Sequence, residues 1–257
     1  MCKIIVMANQ KGGVAKTSST RNLAYSLAEL GKKVLAVDFD PQTNLTISFG
    51  VAPAVLQETA ASLMMKLVMD EALPEKGSCI LNIGKVDLLP SKKTLTVAEV
   101  NLLIERKDDC LAKLLAPLRA DYDYILVDTG PSLGSLTINA FTAADEIIIP
   151  VDPELFALVG LKELTETISK IKQNLNPKVE IIGIFFTKCS KRTVLYREIS
   201  EQVCVTFGHL HIFESRIPTT IKVGAANSKG LSVMELDAKN EAAAAYMNLA
   251  KEVLAYA

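Results

Sequence analysis

The sequence predicts an α/β protein: a doubly wound, mostly parallel sheet flanked by helices. Three observations predict it. Short runs rich in Ile and Val recur between turn residues, as strands buried on both faces do. Segments with apolar residues at helical spacing separate these runs, so strand and helix alternate along the chain. Aromatic residues make up only 5% of the 257 residues and Trp is absent, a composition that suits an aliphatic core of sheet and helix better than an aromatic-rich sandwich.

The strands are expected at residues 3–8, 33–38, 122–128, 146–151 and 179–187. Helices are expected at 17–30, 97–103, 110–118, 155–175, 194–207 and 241–256. Residues 51–93 show the least regular pattern. No repeat, low-complexity tract or Pro/Ser-rich linker interrupts the alternation, so residues 1–257 are read as one domain. In the last helix, Tyr246, Leu249, Ala250, Val253 and Leu254 share one face. Its polar side offers only Lys251 as a cation, beside Glu241 and Glu252, so this face is expected to pack on the sheet and not on a membrane.

Composition narrows the classes further. With 49% hydrophobic and 22% charged residues the chain is too apolar to be disordered. Its 28 basic and 29 acidic residues leave a net charge of −1, which excludes a uniformly basic, histone-like protein but not a local basic patch. Cys2, Cys79, Cys110, Cys189 and Cys204 are odd in number and never spaced C-x-x-C, so they are expected as small buried hydrophobes in a reducing cytoplasm, not as disulfides or zinc ligands. The short apolar run at 4–8 leads directly into a glycine turn and is a first strand, not a signal peptide. No stretch reaches the roughly 18 uncharged apolar residues of a membrane span.

The chemistry concentrates in Lys11-Gly12-Gly13-Val14-Ala15-Lys16-Thr17-Ser18, between the first strand and the first helix. Glycines there let several backbone N–H groups turn toward phosphate oxygens, and the following helix adds the positive end of its dipole. Lys16 is placed to reach the β- and γ-phosphates of a nucleotide, and Thr17 to put its hydroxyl on Mg²⁺. The pattern G-x-x-x-x-G-K-[ST] is not met, because Gln10 and Ala15 take the two glycine positions and Lys11 is an additional lysine. Ala15 is expected at negative φ, where its methyl group is compatible with a helix start. Asp38 and Asp40 follow the second expected strand and Asp128 follows the third, at the carboxyl edge of the sheet where ligands of such folds bind.

The lysine-first loop resembles the deviant Walker A motif, KGGxxKT, of the ParA/MinD class of P-loop ATPases. Asp38-Phe39-Asp40-Pro41-Gln42 is similar to the D-x-D-P-Q segment of ParA-type proteins, and residues 122–134 resemble their Walker B stretch, with Gly130 where a proline is usual. Leu89-Pro90-Ser91 with Ala98-Glu99-Val100, the segment 150–161 and Lys191-Arg192-Thr193 extend the likeness. Asp152 and Val159 depart from it, standing where Gln and Glu are frequent, and Ile217-Pro218-Thr219-Thr220 lacks the arginine usual after that proline.

The resemblance implies a DNA partition ATPase that uses ATP and Mg²⁺ and closes into an ATP-dependent homodimer, with Lys11 reaching the partner's phosphates. It further implies that Asp40 orients the attacking water, that Thr17, Asp40 and Asp128 form the metal site, with Asp128 holding Mg²⁺ through its shell, and that Gly13 allows close approach of two subunits. Non-specific DNA and a ParB-type centromere-binding protein are the implied partners, and the implied location is cytoplasmic, on the nucleoid when ATP is bound. Residues 186–230 carry seven cations and three acids, a local +4 that makes Lys188, Lys191, Arg192, Arg216 and Lys222 the candidate DNA contacts. No DNA-reading extension is expected before the first strand. The alternative is a nucleotide-sensing scaffold or MinD-like positioning protein with negligible turnover.

Overall fold

The computed structural model describes residues 1–190 and 194–256. The chain runs β1 (Lys3–Met7), α1 (Lys16–Glu29), β2 (Val34–Phe39), α2 (Asn44–Ser48) and α3 (Ala60–Val68). Next come β3 (Leu81–Ile83), β4 (Val86–Leu89), α4 (Leu95–Glu105), α5 (Cys110–Leu115), β5 (Tyr124–Thr129) and α6 (Ser135–Ala143). The remainder is β6 (Glu146–Val151), α7 (Ala157–Asn174), β7 (Glu180–Cys189), α8 (Val194–Thr206), β8 (Ile212–Pro218), α9 (Ile221–Asn227), α10 (Val233–Leu236) and α11 (Glu241–Tyr256).

Among the described residues these strands form one eight-stranded sheet in the order β3-β4-β2-β5-β1-β6-β7-β8. Among the described strands, only β3 and β4 pair antiparallel. Their connection is the two-residue turn Gly84-Lys85, with Gly84 at φ 64°, a conformation that glycine adopts without steric cost at a hairpin's first turn position.

Alternation along each strand feeds two cores. Ile4 and Val6 of β1 point into one cluster with Leu102, Leu111, Phe141 and Leu164, under α3 to α8. Ile5 and Met7 point into the other, with Leu23, Leu27, Tyr246 and Leu249, under α1 and α11. All five expected strands and six expected helices are present, with ends shifted by a few residues. The expected strand at 122–128 starts two residues later, and the expected helix at 110–118 ends at Leu115 and continues as a 3-10 turn, Ala116–Ala120, where Pro117 removes a helical donor.

The elements that pattern reading passed over are β3, β4, β8, α2, α3, α6, α9 and α10. Most are short, so they show too few periods to be seen. The apolar face of α11 is buried against α1 and β8: Tyr246, Leu249, Ala250 and Val253 are all enclosed. Four of the cysteines are buried, but Cys204 is exposed on α8, which corrects the expectation of five core thiols. No helix among the described residues is long and apolar enough to cross a membrane.

Candidate nucleotide site

β1, β2 and β5 are adjacent parallel strands, so their carboxyl ends bring the loop after Met7 beside Asp38, Asp40 and Asp128. The loop is held by its neighbours. Asn9 Nδ2 donates to Pro150 O at 2.7 Å, Asn9 Oδ1 accepts the Lys11 N–H at 2.9 Å, and Thr187 Oγ1 donates to Val14 O at 3.2 Å. Gly12 and Gly13 are exposed, with Gly13 at φ 77°, and a side chain at either would meet open space. This backbone is therefore free to face a phosphate.

Ala15 also lies in the left-handed region, at φ 66°, directly before the first residue of α1. The expectation of a negative φ is overturned. The chain must turn sharply to carry the exposed loop into a helix whose body, from Ser19 to Leu27, is buried, and the left-handed position makes that turn. Alanine holds it at a steric cost of about 1–2 kcal/mol that glycine would not carry.

Lys16 is buried, and its ammonium donates to Asn9 O at 2.8 Å and Lys11 O at 3.2 Å. Burial lowers its pKa, against the opposing pull of Asp128 and Asp40. Lys11 behaves differently. Its side chain is about one-third exposed, outside the cradle, and its ammonium is ion-paired to Glu154 on the loop after β6. On the same loop, Asp152 pairs with Lys188 at 3.0 Å.

The three aspartates are not equivalent. Asp38 is buried, accepts the Thr46 N–H at 2.7 Å and the Thr46 hydroxyl at 2.5 Å, and its pKa is pushed up to about 6 by burial. Asp40 accepts the Gln42 N–H at 2.9 Å through Oδ1, and the same oxygen lies 3.3 Å from where a Cβ on Gly130 would sit. Asp128 is fully enclosed, and neither of its carboxylate oxygens has a hydrogen-bond partner of good geometry among the described residues. Its pKa is raised well above the carboxylate range by burial and by Asp38, with the Thr17 hydroxyl opposing. A buried carboxylate left this way is costly unless a cation or a water meets it.

That orphan, beside the Thr17 hydroxyl, fits Mg²⁺. No cluster of three or more His, Cys, Asp or Glu among the described residues makes a self-sufficient metal site. Mg²⁺ ordinarily takes one or two protein groups and completes its shell from phosphates and water, so a sparse donor set is what it needs. A cleft of about 660 Å³ opens beside the loop, bounded by Lys16, Thr17, Asp40, Lys188, Pro218 and Val223 among others. Its size suits a nucleotide.

The structure thus brings Gly12 to Ser18, Asp40 and Asp128 together. Of the candidate DNA contacts, Lys188 is paired to Asp152 and Lys222 to Asp237 at 3.4 Å. Arg216 donates to Phe213 O and lies over the Phe186 ring at 4.7 Å. Lys191 and Arg192 lie outside the described residues. Sequence reasoning assigned no role to Asn9, Glu154 or Thr187. Asn9 adjoins the motif, but Glu154 is 143 residues from Lys11 and Thr187 is 173 from Val14, and only the order of strands β1, β6 and β7 brings them near.

Comparison with known proteins follows the same lines. The AAA-domain family matches residues 2–181. Chromosome-partitioning ATPase Soj of Treponema pallidum is 38% identical over 256 residues, 99% of this chain and 98% of its own. Sporulation initiation inhibitor protein Soj of Bacillus subtilis is 36% identical across 99% of both chains. The solved structure of cobyrinic acid a,c-diamide synthase from Mycobacterium smegmatis, with bound ATP analogue and magnesium, superposes with a TM-score of 0.84 at 31% identity, over 99% of this chain and 95% of that one. Fold and loop together define a P-loop ATPase with a deviant Walker A motif. Within that class, the chain belongs to the ParA/MinD/Soj family.

Proposed function

We propose that this ATPase acts in DNA partition, as an ATP-dependent homodimer that binds DNA without sequence preference and hydrolyses ATP when stimulated by a ParB-type partner. One observation carries the reading: Lys11 is surplus to the cradle of its own chain. Lys16 already occupies the loop's interior, whereas Lys11 stands at the rim, on an exposed carboxylate. A cation in that position is available to a second subunit facing the loop.

In this reading the chain is one ATPase domain working in the cytoplasm. The N–H groups from Gly12 to Ser18 hold the phosphates, and Gly13 leaves room for the second subunit. Thr17 and Asp128 hold Mg²⁺, which when bound neutralises charge on the phosphate oxygens. Asp40, whose second oxygen is not engaged by Gln42, orients the attacking water. Lys16 in cis and Lys11 in trans stabilise charge that spreads over the transferred group, so turnover depends on assembly. Dimerisation doubles the basic surface that Lys188, Lys191, Arg192, Arg216 and Lys222 contribute, which makes DNA binding depend on ATP in a nearly neutral protein.

The test separates the two lysines. Lys16→Ala is expected to weaken nucleotide binding by about 100-fold or more, roughly 2.8 kcal/mol. Lys11→Ala should leave the monomer's affinity within about threefold and abolish the ATP-dependent dimer. Nucleotide titration and light scattering read both, and equal loss of binding in the two variants overturns the role of Lys11.

A further inference from the structure

The segment Ala98-Glu99-Val100 has no part in the site as described so far, yet α4 starts at the same edge of the sheet as the nucleotide loop. Its inner face buries Leu95, Ala98 and Leu102. Glu99 is half-buried beside that face, and its carboxylate lies over the Gly134 backbone at the N-cap of α6, facing the first-turn N–H of Leu136. The first N–H groups of a helix have no partner within it, and Gly134, at the N-cap of α6, has no side chain to supply one. Glu99 brings a carboxylate to that helix end from another element. The fit is close: any Cβ on Gly134 would collide with Glu99 Oε1.

Gly134 ends the loop that starts after Asp128 and Thr129. At the other end of this loop the Gly130 backbone packs on the Asp40 carboxylate, 3.3 Å from Oδ1 to an ideal Cβ. The five residues 130–134 are therefore fixed at one end by Asp40 and at the other by Glu99. The two carboxylates are near enough for the charge of Asp40 to act on Glu99.

We propose that Glu99 is a positioning residue for hydrolysis: by capping α6 over Gly134 it sets the loop 130–134 against Asp40. It does not reach the nucleotide. The inference rests on the reading of the chain as a hydrolysing ATPase, and small errors in the placement of reacting groups cost about 10- to 100-fold in rate.

Phosphate release at saturating ATP, and ATP affinity, are to be measured on the full chain and on Glu99→Ala, Glu99→Gln, Gly134→Ala and the Glu99→Ala/Gly134→Ala double variant. Glu99→Ala and Gly134→Ala should each lower kcat about 10- to 100-fold while affinity stays within about threefold. Glu99→Gln keeps the acceptor oxygen and should stay within about threefold of the parent. The double variant should be no slower than the slower single one, because both changes break one contact. An unchanged kcat in Glu99→Ala overturns the inference, as does a Gln variant as slow as the Ala one, since then charge and not the hydrogen bond matters. Amide exchange at Leu136 separates the two readings: protection should be lost in Glu99→Ala and kept in Glu99→Gln. If Leu136 is equally protected in all variants, the inference fails. If the parent protein shows no turnover, the hydrolysis reading fails with whatever was built on it. Should Glu99→Ala not fold, Gly134→Ala and the Gln variant decide.

Discussion

Two regions of this molecule answer differently to the same kind of reading. At the carboxyl ends of β1, β2 and β5, residues close together in sequence share one loop or one strand end, and the structure gathers them in one place. Across β7, β8 and α9, a count of charges along residues 186–230 gave seven cations and three acids. The fold brings Asp152 onto Lys188 and Asp237 onto Lys222, so acids from outside the segment offset part of that charge. A motif is a statement about local backbone, which sequence neighbours control. A surface potential is a sum over segments from anywhere in the chain, which the sheet order controls.

The sharpest way to test the first region is Asp40→Ala. The carboxylate is held by the Gln42 N–H and accepts no hydrogen bond from the phosphate loop among the described residues, so its loss should leave the phosphate cradle intact. Turnover is expected to fall by about 100-fold or more, comparable to the loss of one group that acts only in the transition state. The dimer should persist on chromatography in ATP. A variant that cannot bind ATP would instead make Asp40 a structural or metal residue.

The same contrast explains what could be read from sequence and what could not. The alternation of Ile/Val runs with helical segments gave the central strands because buried parallel strands are uniformly apolar. It missed β8, an edge strand whose burial alternates along Ile212-Phe213-Glu214-Ser215-Arg216-Ile217 while its residue types do not, because the polar Ser215 takes an inward position and breaks the apolar pattern. The outer side of β8 is covered by Glu252 of α11, which accepts the N–H of Glu214 at 2.6 Å and of Ser215 at 2.9 Å, an arrangement that blunts an exposed edge. The β3–β4 hairpin carried a usable signal, Gly84 between two apolar pairs, in a stretch too short to stand out. At the site, Lys16 and Asp128 were legible from position. The contact of Glu99 with Gly134 at the start of α6 was not, because it depends on two helices meeting.

The second region is sharpened by reversing charges that differ in how they are held. Arg216 has no acidic partner among the described ion pairs and leans on an aromatic ring, whereas Lys222 shares its charge with Asp237. If this surface takes DNA, Arg216→Glu should weaken ATP-dependent DNA binding about tenfold or more, and Lys222→Glu by only about threefold. Both losses should shrink as salt rises, because phosphate contacts release counterions. ATP affinity should not change. Fluorescence anisotropy on duplexes of unrelated sequence, at two salt concentrations, gives all three quantities, and undiminished DNA binding by both variants places the surface elsewhere.

The smallest expected effect comes from Ala15→Gly, and it tests whether local sequence controls the loop as fully as the comparison claims. Ala15 sits at φ 66°, where a Cβ crowds the backbone and glycine is at ease. Glycine also gains freedom in the unfolded chain, which offsets part of the relief, so the variant should be more stable by about 1 kcal/mol, a rise in Tm of about 2 °C for a chain of this size. Nucleotide affinity is a different matter. A loop that keeps its left-handed turn with and without ATP carries the same cost in both states, and that cost cancels from binding. Affinity should then stay within about threefold while the melting temperature rises. A gain in affinity beyond about tenfold would mean that Ala15 must change its backbone to close on phosphate. Slow turnover would then be built into the loop by one methyl group, which favours the scaffold reading over the cycling one.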